Sequence, residues 1–229
     1  MPFHLLFLKN RDILIKKDLK EKFMDKTYIT VKKSATAEIT EKKSRFIASM
    51  EHVETEEEAV AFVNSIKKQH YSARHNVYAF LLSNGFKKYS DDGEPTRTGG
   101  FPVLEMLENE GVTDCVCVVT RYFGGTLLGT GGLIRAYTKA AKDCLEKCGL
   151  LKKTMCDVVE ISSDYTFLSK IEHILKSGNF KIEDTVYNEN ATVKVVCEKE
   201  KTNALKEEIT DTFGVNVSFE IKGEVYYTL

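Results

Sequence analysis

Arg121 and Arg135 flank a glycine-rich stretch, Gly124-Gly125-Thr126-Leu127-Leu128-Gly129-Thr130-Gly131-Gly132, and this arrangement is the clearest chemical signal in the chain. Ten of the fourteen glycines fall between Gly85 and Gly132. Glycine lets the backbone take positive φ and lets a ligand approach without meeting a Cβ, at a cost in chain entropy. Gly129-Thr130-Gly131-Gly132 precedes a helical pattern, so unpaired N–H groups and the positive end of the helix dipole point into the loop, the outline of an anion site. Arg135 falls in the first turn of that helix on the face opposite its apolar stripe, where the dipole disfavours a cation unless an anion lies near. Its partner is either a carboxylate from another loop or a phosphate, and Arg121, just past a strand end, has the same choice. Nucleoside-triphosphate and dinucleotide motifs fit badly. Gly124 and Gly129 have the spacing of a P-loop but Thr130 stands where lysine belongs, and G-x-G-x-x-G fails at Ile134.

A second constellation is Ser90-Asp91-Asp92-Gly93-Glu94-Pro95. Its carboxylates suit a hard cation such as Mg²⁺, and equally an Asx turn around Gly93 with a helix-capping group, the structural role being favoured. His75 is either a general base or hydrogen-bonded scaffold. Tyr122 beside Arg121 can stack on a base or anchor the core, whereas Phe123 reads as an anchor. No G-x-S-x-G elbow or H-E-x-x-H helix occurs, and neither a metal nor a cofactor is expected. The six cysteines lack C-x-x-C spacing and read as buried, reduced thiols of a cytoplasmic protein.

The elements that must position these groups follow from periodicity. Strands are predicted at about 28–33 and 44–50; a helix follows, with a Thr55/Glu58 capping box and an Ala59-Phe62-Val63-Ile66 stripe. Asn76–Leu82 reads as a buried strand, and Asn84-Gly85 opens a loop to about Gly100. A short helix starts at Pro102 and ends near Gly111, and Cys115–Thr120 is a β-rich central strand. The next helix runs from about Gly131 to Cys148, with Leu133, Tyr137, Ala140, Ala141 and Cys144 inward. After a Leu151-Lys152-Lys153 connector comes strand 155–162, helix 165–177, strands 180–187 and 191–198, helix 203–213 and strand 217–227. That order is the ferredoxin-like βαββαβ arrangement.

With 229 residues, 42% of them apolar, the chain can bury two cores, and a net charge of −1 gives no overall field for polyanions. No apolar run is long enough to span a membrane. Residues 1–23 read as an upstream extension or frayed tail, with Met24 a fresh start.

Ala73-Arg74-His75-Asn76, Ser90–Pro95, Thr120–Gly125 and Leu128–Tyr137 resemble the YigZ/IMPACT family. The likeness covers about 24–149 as the IMPACT-type domain and about 150–229 as the small second domain of bacterial members. It implies an α+β protein of two domains: an α+β sandwich like elongation-factor-G domain IV and ribosomal proteins, then a ferredoxin-like domain. Eukaryotic IMPACT is a translational regulator in the amino-acid-starvation kinase pathway, but it carries an RWD domain not matched here, so that partner is not transferred. A proline-dipeptidase label on some bacterial relatives finds no supporting ligand spacing. One departure is Arg97-Thr98-Gly99-Gly100-Phe101, where the family usually reads Gly-Thr-Ala-Gly and then a basic residue; Arg97 either restores that charge or marks a reshaped loop.

The resulting expectation is a translation-associated regulator that binds RNA or the ribosome. Its anion-binding set is Arg121, Tyr122, Gly124, Gly125, Gly129, Thr130, Gly131, Gly132 and Arg135, with His75, Asp91, Asp92, Glu94 and Arg97 as secondary candidates. The alternatives are a hydrolase or other small-ligand enzyme using His75 and the Asp91/Asp92/Glu94 cluster, and a protein–protein regulatory module without nucleic acid.

Overall fold

Cys115-Val116-Cys117-Val118-Val119-Thr120-Arg121-Tyr122 has no polar alternation because both of its faces are covered, and it forms the middle of a five-stranded antiparallel sheet. The computed structural model describes residues 27–228, so the expectation for residues 1–23 lies outside the described residues. The chain divides into two units, Met1–Lys152 and Lys153–Leu229.

In the first unit the strands are β1 (Thr27–Val31), β2 (Ala35–Glu41), β3 (Ser44–His52), β4 (His75–Leu81), β5 (Lys87–Ser90) and β6 (Cys115–Tyr122). The helices are α1 (Glu56–Gln69), α2 (Gly100–Asn109) and α3 (Thr130–Cys148). The sheet runs β2-β3-β6-β4-β5. Strand alternation sends Cys115, Cys117 and Val119 into one core with Leu107, Leu133 and Tyr137 from α2 and α3, and Val116 and Val118 into another with Ala59, Val63 and Ile66 from α1. The Thr55 side chain caps α1 as the sequence predicts. Register puts Phe46, Arg121 and His75 in one row across β3, β6 and β4, and an Arg in that row must find a partner or stay an unpaired buried charge.

β7 (Leu150–Ser163) begins at the end of the first unit and continues into the second, which adds α4 (Tyr165–Ser177), β8 (Lys181–Tyr187), β9 (Ala191–Glu198), α5 (Thr202–Phe213) and β10 (Val217–Tyr227). Its strands pair antiparallel in the order β10-β7-β9-β8, the ferredoxin-like order. Val159, Ile161, Val193 and Val195 pack against Ile171, Leu175, Leu205 and Ile209. The protein is thus α+β, with two antiparallel sheets and five helices among the described residues.

Three local expectations are corrected. Leu151–Lys153 is not a connector but the start of β7, a partly exposed stretch in which Leu150 and Lys152 are exposed and Leu151 and Lys153 half-buried. The β2–β3 hairpin lacked a glycine or asparagine signal because its turn is Lys42-Lys43, both at positive φ (44° and 67°). β5, Lys-Lys-Tyr-Ser, lies at the sheet edge with its polar residues exposed, so it carries no core pattern.

Candidate functional site

Arg121 solves its burial problem with Glu94. The guanidinium donates Nη1 to Glu94 Oε1 at 2.7 Å, with the two side chains 7% and 3% exposed. Tyr137, reaching from α3, donates its hydroxyl to the same oxygen at 2.7 Å. Burial, with Glu94 adding to it, holds that phenol far above its ordinary range. Phe46 and Phe123 lie on the guanidinium, 5.4 and 5.5 Å from its carbon to the ring centroids, and Tyr137 meets Phe46 edge to face at 5.0 Å. Arg121 Nε is buried with no hydrogen-bond partner. Glu94 Oε2 accepts no hydrogen bond among the described residues, yet it is not enclosed.

His75 completes the row. Its Nδ1 lies 2.9 Å from the Asp92 carbonyl oxygen; a carbonyl only accepts, so Nδ1 donates and Nε2 of the neutral ring is an acceptor. Nε2 lies 3.9 Å from Glu94 Oε1. Asn76, one residue on, accepts from the Thr120 hydroxyl at 2.7 Å, which fixes β4 to β6 at this level.

The two aspartates are spent on the backbone. Asp91 accepts from the amides of Arg97, Gly99 and Gly100 at 2.7, 3.0 and 2.9 Å, which holds the loop after Pro95 and the start of α2. Asp92 Oδ2 accepts from the Asn76 amide at 2.7 Å, and Oδ1 pairs with Lys67 Nζ at 2.8 Å. Gly100 must be glycine, because a Cβ there would sit 2.3 Å from the Ser90 carbonyl oxygen. Among the described residues no three His, Cys, Asp or Glu side chains are grouped to hold a metal ion.

The glycine loop is fixed by the β2–β3 hairpin. Gly124 donates its amide to Ser44 Oγ at 3.1 Å, and a Cβ on it would come within 2.0 Å of the Lys43 carbonyl carbon. Gly129 then takes φ 69° to start α3, with its carbonyl accepting the first helical bond from Leu133. No side chain caps this helix, and among the described residues nothing accepts from the Thr130, Gly131 and Gly132 amides. Arg135 is exposed without a carboxylate partner among the described residues, its Nη1 lying 3.5 Å from where a Gly131 Cβ would stand. A cleft of about 350 Å³ opens between this helix start and the His75–Glu94–Arg121 row, with Phe123, Leu127 and Leu128 as apolar wall and Arg74 at its edge.

Gly129, Thr130, Gly131, Gly132 and Arg135 therefore meet at one helix start, with Gly124 and Gly125 in the loop before it. Arg121 leaves the anion-binding set, since its charge is already paired with Glu94. Tyr122 leaves it too: alternation turns its ring to the α1 face, where its hydroxyl meets His70 Nδ1 at 3.0 Å and Arg45 lies 5.6 Å from the ring. Arg97 stacks on Phe101 at 3.6 Å, and Asp91 and Asp92 act as turn and cap groups. Sequence reasoning missed Tyr137 as the Glu94 partner, although a tyrosine on an inward helical face needs one. It also took Phe123 for a core anchor, and the ring is 47% exposed.

The Impact N-terminal domain model matches residues 42–145, and a domain of unknown function (DUF1949) matches residues 161–221. The chain is 41% identical over 204 residues to the IMPACT family member YvyE of Bacillus subtilis, covering 88% of this chain and 93% of that one. It is 34% identical over 174 residues to the IMPACT family member YigZ of Escherichia coli, covering 74% and 85%. A crystal structure described as that of an hypothetical protein is similar at 30% identity and a TM-score of 0.60, covering 87% of this chain and 99% of that one.

Proposed function

The chain belongs to the IMPACT family, and from that premise we propose that its first unit binds single-stranded RNA, free or on the ribosome, in a translation-associated regulatory role. The observation that carries the reading is the start of α3: three amides without acceptors, an exposed Arg135 without a carboxylate, and an apolar-walled cleft beside them. Amides and dipole suit a phosphate, and the presence of one would offset the unfavourable placement of Arg135 in a helical first turn. Phe123 supplies an exposed ring next to that phosphate position, on which a base can stack. Lys42 and Lys43, at the hairpin tip that holds Gly124, add cations without carboxylate partners among the described residues. Six buried free thiols fit a reducing cytoplasm, and no helix among the described residues is long and apolar enough to cross a membrane.

Hydrolysis is the weaker reading. His75 does line the cleft, but Asp91 and Asp92 have their oxygens filled by amides and Lys67, and Arg121 and Tyr137 both hold Glu94 Oε1. The test is fluorescence anisotropy of the full chain with labelled single-stranded RNA across a salt series. Affinity should fall steeply with salt, and Arg135→Ala should weaken binding and flatten the log–log slope by about 0.7. Absence of binding at low salt refutes the proposal.

A further inference from the structure

We propose that the cleft beside the α3 N-terminus selects guanine, reading the donor edge of that base with Glu94 and His75. This rests on the nucleic-acid reading above and adds a base identity to it. Two side chains that line the cleft, Glu94 and His75, each keep an acceptor without a protein donor. Glu94 Oε2 is free because Arg121 and Tyr137 both bind Oε1, and His75 Nε2 is free because Nδ1–H is committed to the Asp92 carbonyl. They are nearly buried, the two side chains being 3% and 14% exposed, so a ligand without donors would leave them desolvated and unpaired.

The cleft therefore asks for two adjacent N–H donors on a flat, apolar body. Guanine presents them as N1–H and the 2-amino group. Adenine and cytosine each pair one amino donor with a ring acceptor, and uracil sets one N–H between two carbonyls. A cationic side chain from a protein also donates, but the surroundings oppose it. Glu94 is already neutralised by Arg121, and Arg74 and the positive helix end at Gly129 and Thr130 line the same cleft. A neutral base carrying a phosphate satisfies both halves of the site, with the base on the acceptors and the phosphate on the open amides of Thr130, Gly131 and Gly132. Phe123 and Leu127 give the base its apolar contact.

The experiment changes the ligand, so no variant has to fold. Short uridine oligomers with a single central guanosine, inosine or adenosine are titrated into the full chain by anisotropy, alongside 5′-guanosine and 5′-adenosine monophosphates by calorimetry. Inosine lacks the 2-amino group and should bind about tenfold more weakly than guanosine, with adenosine weaker again. Equal binding of the three oligomers with a steep salt dependence overturns guanine selection and leaves the RNA reading standing. A preference for guanosine monophosphate with no oligomer bound supports guanine selection and overturns only the RNA reading. Failure of every nucleotide, with a labelled arginine-bearing peptide bound instead, overturns both.

Discussion

Replacing Glu94 with methionine leaves the Arg121 guanidinium buried among Phe46, Phe123 and Tyr137 with only a 3.4 Å contact to Ser44 Oγ. Its Nε has no partner even before the change, so no spare bond exists to absorb the loss. Removing one member of a buried pair costs about 3–5 kcal/mol, and the Tyr137 hydroxyl loses its acceptor in the same step. At about 2–4 °C per kcal/mol for a chain of this size, Glu94→Met should lower the melting temperature by roughly 6–20 °C. Arg121→Met should cost a similar amount, because it strands the carboxylate instead. The double variant Glu94→Met/Arg121→Met removes both charges at nearly constant volume and should recover much of the loss. Urea and thermal unfolding followed by circular dichroism provide the cycle. Single losses below about 1 kcal/mol, or losses that simply add in the double variant, would refute the account of Arg121 as an internal counter-ion and return it to the ligand.

Four further outcomes follow from the same geometry. Gly124→Ala forces a Cβ against the Lys43 backbone and should destabilise by about 1–3 kcal/mol, read by urea unfolding, while Gly125→Ala meets no atom and pays only for its positive φ of 82°. Asp91→Ala removes the acceptor of three amides; faster hydrogen exchange at Arg97, Gly99 and Gly100 should accompany a loss of about 1–3 kcal/mol. Burial pushes the Cys115 and Cys117 thiols well up, so the unfolded chain ionises them above about pH 8.5 while the folded chain does not; their contribution is complete below that pH and declines as pH rises, and Cys117→Ala should flatten the alkaline part of the stability curve. Residues 150–229, with their own buried set around Ile161 and Leu205, should unfold cooperatively when expressed alone; a broad, uncooperative transition contradicts this.

Elements with strong periodicity are legible in the sequence. Helix 165–177, strand 191–198 and strand 217–227 match residue for residue; in the first two the buried positions repeat at the period of the element. β2 and β5 were missed for opposite reasons. The Lys42-Lys43 turn has none of the residues that favour positive φ, and the edge strand β5 buries no side chain completely. The glycine loop was located correctly along the chain, yet Arg121 and Tyr122 were misread as a pair. Adjacent residues on a strand face opposite ways, so only one of them can look toward α3. Pairing of Arg121 specifically with Glu94 was not legible, since the carboxylate candidates Asp91, Asp92 and Glu94 were equivalent in sequence. The backbone amides that claim Asp91 and Asp92 appear only in three dimensions.

Ser44, His75, Glu94, Arg121 and Tyr137 come from five separate stretches of the chain and touch through a chain of polar contacts centred on one carboxylate oxygen. Such an arrangement is transmitted as a block. Grafting the glycine loop alone onto another scaffold, or exchanging the hairpin alone, leaves an ion without its partner and should cost stability before any change in recognition can be read. New specificity has to arise where the block does not reach, at positions such as Leu127, which lines the cleft and is 82% exposed. Divergence in what the cleft accepts should therefore accumulate along its rim while the floor stays fixed.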